Sequence, residues 1–187
     1  MEELNNILNN ARDLMNKSAE FTKSQLSKVR TGRATASLVE NVKASYYGSP
    51  TAISQMAGIS VPDARTIVIQ PWDKSNLKDI EKAILEADLG FNPQNDGNII
   101  RIPVPPLTEE RRKEFVKLSK KFAEEGKVAI RNIRRDQIDI IKKAEKDKKL
   151  TEDDRKKGEE DIQKITDEYI KKVDTFLAQK EKELMQD

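Results

Sequence analysis

The chain has 187 residues, is 36% hydrophobic and 36% charged, and contains neither cysteine nor histidine. That length suits one domain, or one domain with a modest insert. The missing residue types exclude disulfides, thiolate chemistry, the commonest general base and the commonest transition-metal ligand.

The formal net charge is only +2, but its distribution is uneven. Residues 34–105 hold six Lys/Arg and eight Asp/Glu, against 29 and 25 in the flanks. A nucleic-acid partner would therefore meet the flanks. The opening MEELNNILNNARDL lacks the basic start and apolar run of a secretory signal. No apolar stretch approaches the ~18–20 residues of a membrane span. A soluble, cytoplasmic protein is expected.

In chain order, Leu4, Leu8, Ala11, Met15, Ser18, Thr22, Gln25 and Val29 step by three and four, with Ile7, Leu14 and Phe21 widening the stripe. This predicts an amphipathic helix that breaks near Gly32. All seven prolines and four of the seven glycines then fall between Gly48 and Pro106. Short β-favouring runs (VKASYY, Ile59 with Val61, TIVIQ and IIRIPV) end at turn signals. Between them SNLKDIEKAILEADLG reads as a helix, with Ser75 as N-cap and Ile80, Ile84 and Leu85 as its apolar stripe. Tyr46 and Tyr47 straddle the faces of a strand, and both they and Trp72 are expected to pack structurally. After the stiff Pro105-Pro106 connection, Thr108 caps a helix running to about Asp147, its apolar face expected at Phe115, Leu118, Phe122, Ala129, Ile133, Ile140 and Ala144. Thr151, boxed with Asp154, starts a last helix carrying Ile162, Ile165, Tyr169, Val173, Phe176, Leu177 and Leu184. Three long amphipathic helices cannot bury their stripes separately. The expected fold is α+β: a long antiparallel three-helix bundle (1–30 and 106–187) with an inserted small domain (31–105).

The segment KVAIRNIRRDQ sets Arg131, Arg134 and Arg135 within about a 100° arc, joined one turn earlier by Lys127. On the expected helix face they point away from the core. Like charges so spaced repel mildly. Arginine, used three times in a lysine-rich chain, grips phosphates bidentately and stacks on bases. The bland alternative is a solvated face paired with Glu124, Glu125 and Asp136. Arg30 and Arg33 flank Gly32 at the domain junction, where cations suit a helix C-terminus. Arg111, Arg112 and Lys113 sit at a helix start, where they are mildly unfavourable and hint at a partner. There is no phosphate-binding glycine loop, and without histidine the common triad cannot form. Asp153-Asp154 and Glu159-Glu160-Asp161 read as a solvated helix face rather than a cation site. The chain reads as a non-enzyme without cofactor or metal.

The stretches KVRTGRA (28–34), YYGSPT (46–51), EKAILEADLGFNP (81–93), RIPVPPLTEERRKE (101–114), IRNIRRD (130–136) and KEKELMQD (180–187) resemble those of the bacterial ribosome recycling factor family. The resemblance implies a three-helix bundle and a small three-layer β/α/β domain set as an L about the size of transfer RNA. It also implies binding to the post-termination ribosome, with the bundle against large-subunit ribosomal RNA. Elongation factor G then acts on the small domain and hydrolyses GTP, the subunits separate, messenger RNA is released, and initiation factor three acts downstream. Carried over residue by residue, Arg131, Arg134, Arg135 and Lys127 face the RNA, with Arg30 and Arg33 near the junction. The hinge would be Arg30, Thr31, Gly32 and Arg33 with Val104, Pro105, Pro106 and Leu107. A monomer is expected from the family. The rival reading is a helical scaffold with no RNA role.

Overall fold

The computed structural model describes residues 2–186. Its elements are α1 (Glu2–Ser27), β1 (Lys43–Tyr46), β2 (Ser49–Ala52), β3 (Ala57–Asp63), β4 (Thr66–Pro71) and α2 (Leu77–Glu86). They are followed by β5 (Gln94–Asn95), β6 (Ile100–Pro103), α3 (Glu109–Lys146) and α4 (Glu152–Met185). The chain divides into two compact units. One holds the chain through Thr31 together with Glu109–Gln186, and the other holds Gly32–Thr108.

The first unit is the bundle. Helix α3, about 57 Å long at 1.5 Å per residue, runs antiparallel to both partners. Arg155 meets Glu145, Arg134 meets Gln163, and Lys127 meets Asp174 along the α3–α4 seam. Helices α1 and α4 run parallel, since Arg12 faces Glu168 while Lys180 reaches Val29. The Thr151 cap forms as its sequence pattern predicts. Asp154 N–H donates to Thr151 Oγ1 at 3.1 Å, and Thr151 N–H donates to Asp154 Oδ2 at 3.2 Å. The interior comprises Leu4, Ile7, Ala11, Ile141, Ala144, Leu150 and Ile162 at one level. Met15, Ala19, Ala123, Ile130, Ile165, Tyr169 and Val173 fill the next.

The buried face of α3 is rotated by about one residue from the expected one. It consists of Ser119, Ala123, Gly126, Ile130, Gln137, Ile141 and Ala144. Leu118 and Ile140 are exposed, and Phe115, Phe122, Ala129 and Ile133 are only half-buried. The cause is close helix approach. A Cβ on Gly126 would run into Thr22 Oγ1 and lie 3.0 Å from Thr22 Cγ2. Gly126 therefore meets α1 directly, while Leu118, Phe122 and Ile140 lie off the buried face. On α1, Leu14 and Phe21 are exposed, while Ala19 and Leu26 are buried.

The second unit has one core, shared by Ile80 and Ile84 of α2 with Ile67, Ile69, Ile100 and Ile102 of a four-stranded antiparallel sheet. The sheet order is β3-β4-β6-β5, and β1 and β2 form a separate hairpin whose Ala44 joins that core. Four expectations fail here. Ser75 does not cap α2: Asn76 holds that position without a side-chain bond, and Asp73 Oδ1 accepts instead from Ser75 N–H in the preceding turn. Leu85 is exposed because it lies off the Ile80–Ile84 face. Trp72 is exposed because β4 alternates Ile67, Ile69 and Pro71 inward, so the next residue points outward. Tyr47 does not pack in a strand; it sits in the hairpin loop with φ 48°.

Candidate nucleic-acid interface

The α3 rotation changes how the arginines are presented. Rather than standing opposite the core, Lys127 and Arg134 lie beside the α3–α4 seam, with Arg131 and Arg135 further round toward solvent. Arg134 Nη1 donates to Gln163 Oε1 at 3.1 Å, and Gln163 Nε2 donates onward to Asp167 Oδ1 at 2.8 Å. The Arg134 Nε is buried and makes no hydrogen bond. Arg131 Nη1 donates to Glu124 Oε1 at 3.1 Å. Lys127 Nζ lies 3.1 Å from Asp174 Oδ1 and 3.5 Å from Glu124 Oε2. Arg135 is exposed, and no acidic side chain among the described residues pairs with it.

The local electrostatics follow from these pairs. The Arg131 hydrogen bond, helped by Lys127, holds the Glu124 carboxyl below the usual carboxylate range. Asp174, followed by Glu124, raises Lys127. Four cations thus share the flank with Glu124 and Asp174, so the face is positive but partly compensated. A guanidinium held in place by a neutral carboxamide keeps its full charge and its remaining donors for a phosphate.

The other expected residues lie elsewhere. Arg30, just beyond α1, is half-buried; burial and then the nearby Arg111 lower its pKa. Arg33 is exposed and belongs to the second unit. Of the expected hinge residues, Arg30 and Thr31 close the first segment of the bundle unit. Gly32, with φ 77°, opens the second unit. Val104 is buried, Leu107 half-buried, and Pro105 and Pro106 exposed.

Sequence reasoning also missed an extension of the basic flank. Lys113, Lys117 and Lys120 line a groove of about 690 Å3 with Glu109, Arg112, Val116 and Met185. The signal was present: positions 113, 117, 120, 124, 127, 131 and 134 step by four and three, and all are basic except Glu124.

These features define a class of protein. It is an α+β chain with a helical bundle and a small sheet unit, a long basic helix flank, and no metal-binding cluster of His, Cys, Asp or Glu among the described residues. Comparison with known proteins makes the assignment specific. The sequence model of a family described as Ribosome recycling factor matches residues 22–185. The Ribosome-recycling factor of Geobacillus sp. (strain WCH70) is 54% identical over 180 residues, covering 96% of this chain and 97% of that protein. That of Nitratidesulfovibrio vulgaris (strain DP4) is 54% identical over 183 residues, covering 98% of each. A solution structure of a ribosome recycling factor superposes with a TM-score of 0.77 at 44% identity, covering 99% of this chain and 98% of that one. A second solved chain has a TM-score of 0.64 at 47% identity, covering 98% of this chain and 99% of that one. It comes from models of the T. thermophilus ribosome recycling factor and E. coli elongation factor G bound to the E. coli post-termination complex. The chain belongs to the ribosome recycling factor family.

Proposed function

We propose that this chain binds the ribosome after termination and, with elongation factor G, splits it into subunits so that messenger RNA is released for a new round. The observation that carries this reading is the near-full-length likeness to a recycling factor described on a post-termination complex together with elongation factor G. GTP hydrolysis belongs to that partner; this chain contributes binding and force rather than covalent chemistry. It works as a monomer in the cytoplasm, and initiation factor three acts downstream.

Lys127, Arg131, Arg134 and Arg135 supply the grip on large-subunit ribosomal RNA. Their contacts are to phosphate, which releases counterions and makes affinity fall with salt. Base readout is unnecessary, because the shape of the folded RNA selects the site. Arg30 and Arg33 act near the two chain crossings. Helices packed along their length carry a load better than loops, so the bundle serves as the bar. The small unit serves as the head on which elongation factor G pushes.

The test is light scattering of post-termination complexes mixed with this protein, elongation factor G and GTP. Splitting should require all three and should slow with Arg134→Ala in step with lost binding to large subunits. Splitting at the parent rate by Arg134→Ala, with binding intact, would refute the assignment of the grip. A designed cross-link locking the two units should block splitting and spare binding; unimpaired splitting would refute the hinge.

A further inference from the structure

The chain contains one Asp-Gly step, Asp96-Gly97, and no Asn-Gly. Such a step carries its own chemistry. Glycine has no side chain to shield its amide nitrogen, which can attack the aspartyl Cγ. A C–N bond forms, a water molecule leaves, and a succinimide ring results. Water then opens the ring. Where it breaks the bond from the Asp96 main-chain carbonyl carbon to that nitrogen, the chain continues through Cγ as isoaspartate, one methylene longer. The water lost is regained, and nothing is oxidised or reduced.

The step needs a free glycine N–H and a protonated carboxyl, because a carboxylate is a poor electrophile. Solvent exclusion does not protect this one: Asp96 and Gly97 are both exposed, and a Cβ at Gly97 would meet nothing within 4 Å. Hydrogen bonds meet both requirements instead. Gly97 N–H donates to Asn95 Oδ1 at 2.8 Å. Asn95 is itself held, its Nδ2 donating to Glu81 Oε2 of α2 at 3.2 Å and its backbone paired with Ile100 of β6. Asp96 Oδ1 accepts from Asn98 N–H and Ile99 N–H, each at 2.9 Å. The Ile99 bond, then the Asn98 bond, hold the Asp96 carboxyl below its ordinary range and so in its unreactive form. A separate tie, Lys74 Nζ to Asn98 Oδ1 at 2.6 Å, steadies the loop without touching Gly97 N–H.

The added methylene would fall inside a tight turn. Asp96 N–H donates to Ile99 O at 3.2 Å, and Gly97 between them has φ 89°. Next to that turn, β5 pairs with β6 through Asn95 with Ile100 and Gln94 with Arg101. Lengthening the backbone there disrupts the turn that sets this register.

We propose that Asp96-Gly97 is a site of isoaspartate formation, held off in the folded chain by Asn95, whose side chain occupies the attacking N–H. The inference concerns the chemical lifetime of the small unit and stands independently of the recycling reading.

The experiment incubates the full chain, Asn95→Ala and Asn98→Ala at neutral pH, beside a synthetic peptide of residues 83–101, the tryptic fragment that carries the step. Electron-transfer fragmentation of the tryptic digest reads isoaspartate at position 96, and far-UV circular dichroism checks each fold. The parent chain should convert several-fold more slowly than the peptide. Asn95→Ala should convert about three- to tenfold faster than the parent, the factor that one hydrogen bond supplies, while Asn98→Ala stays within about twofold. Glu81→Ala, which releases Asn95 from α2 and leaves the loop sequence intact, should act in the same direction and keeps the test decisive if Asn95→Ala does not fold. A parent chain that converts as fast as the peptide overturns the inference. So does an Asn95→Ala or Glu81→Ala chain no faster than the parent, or an equal acceleration by Asn98→Ala, which would assign the protection to general loop order.

Discussion

Gly126→Ala sets two effects of known size against each other. Alanine in a helix interior is favoured over glycine by about 1 kcal/mol. Against this, the new methyl group would collide with Thr22 Oγ1 and lie 3.0 and 3.1 Å from Thr22 Cγ2 and Cβ. Thr22 cannot step aside freely: it is buried, and its hydroxyl donates to Ser18 O at 3.0 Å. Overpacking of this kind costs about 1–3 kcal/mol, so the variant should lose about 1 kcal/mol net. Urea unfolding followed by far-UV circular dichroism reads mainly the helices, and with a slope near 2 kcal/mol/M the midpoint should fall by about 0.5 M. Thr22→Ala removes the two nearest offending atoms, so the alanine should cost about 1–2 kcal/mol less in that background. A midpoint that rises by the full helix-propensity gain in both backgrounds would refute the close approach. The α3 rotation that sets Arg134 beside α4 would lose its cause with it.

Other perturbations follow from the same geometry. Thr151→Ala removes the acceptor for Asp154 N–H and should cost about 1 kcal/mol in thermal or urea unfolding. The Thr151 N–H, then its hydroxyl, hold the Asp154 carboxyl below its ordinary range. That stabilisation is complete above the unfolded-state pKa and is lost as pH falls through the lower folded value, so the deficit of Asp154→Asn should shrink on acidification along a pH series of unfolding curves. Lys180 Nζ donates to Val29 O at 3.1 Å and is almost wholly buried, so Lys180→Ala should cost about 1–3 kcal/mol. Among the arginines, Arg134→Ala and Arg135→Ala should weaken sedimentation with large subunits more than Arg131→Ala, because Arg131 must first leave Glu124. Each lost phosphate contact should flatten the plot of log affinity against log salt by roughly 0.7–0.9.

The long helices were legible because each repeats apolar residues at three and four over many turns, and the Thr151–Asp154 pair marked a helix start correctly. The rotation of α3 was not legible to a reading that followed large side chains. Phe122 and Ile140 mark the flank, while Gly126 and Ala123 mark the centre, and only the presence of α1 makes smallness the deciding property. Strand β2, Ser49–Ala52, escaped notice because Ser-Pro-Thr-Ala has little intrinsic strand preference; its pairing with β1 creates it. Trp72 and Tyr47 were misplaced for a related reason. Burial of an aromatic is a reasonable default, but whether residue 72 faces inward depends on the phase of β4, and Tyr47 on a turn formed with Gly48. The basic residues of the α3 flank could be read directly, whereas their α4 partners Asp174 and Gln163 required the tertiary structure.

The pairing of Arg134 with Gln163 suggests why a basic flank can be both ordered and available. Glu124 and Asp174 orient Arg131 and Lys127 but cancel part of their charge, and on the proposed reading a phosphate would have to compete with them. Gln163 orients Arg134 through a carboxamide oxygen at 3.1 Å and cancels nothing. Gln163→Glu isolates this difference with almost no change in shape. The new carboxylate would pair with Arg134 and also face Asp167, which now accepts from Gln163 Nε2 at 2.8 Å. On the exposed surface the two effects oppose each other, so folding stability should move by less than about 0.5 kcal/mol. Affinity for large subunits should fall several-fold at low salt and converge on the parent value as salt rises, because phosphate would then have to displace an anion. Sedimentation across a salt series, run beside Gln163→Ala, separates the roles. If Gln163→Glu binds as tightly as the parent at every salt concentration, Arg134 does not meet phosphate. If Gln163→Ala loses as much as Gln163→Glu, orientation rather than charge is what the glutamine supplies.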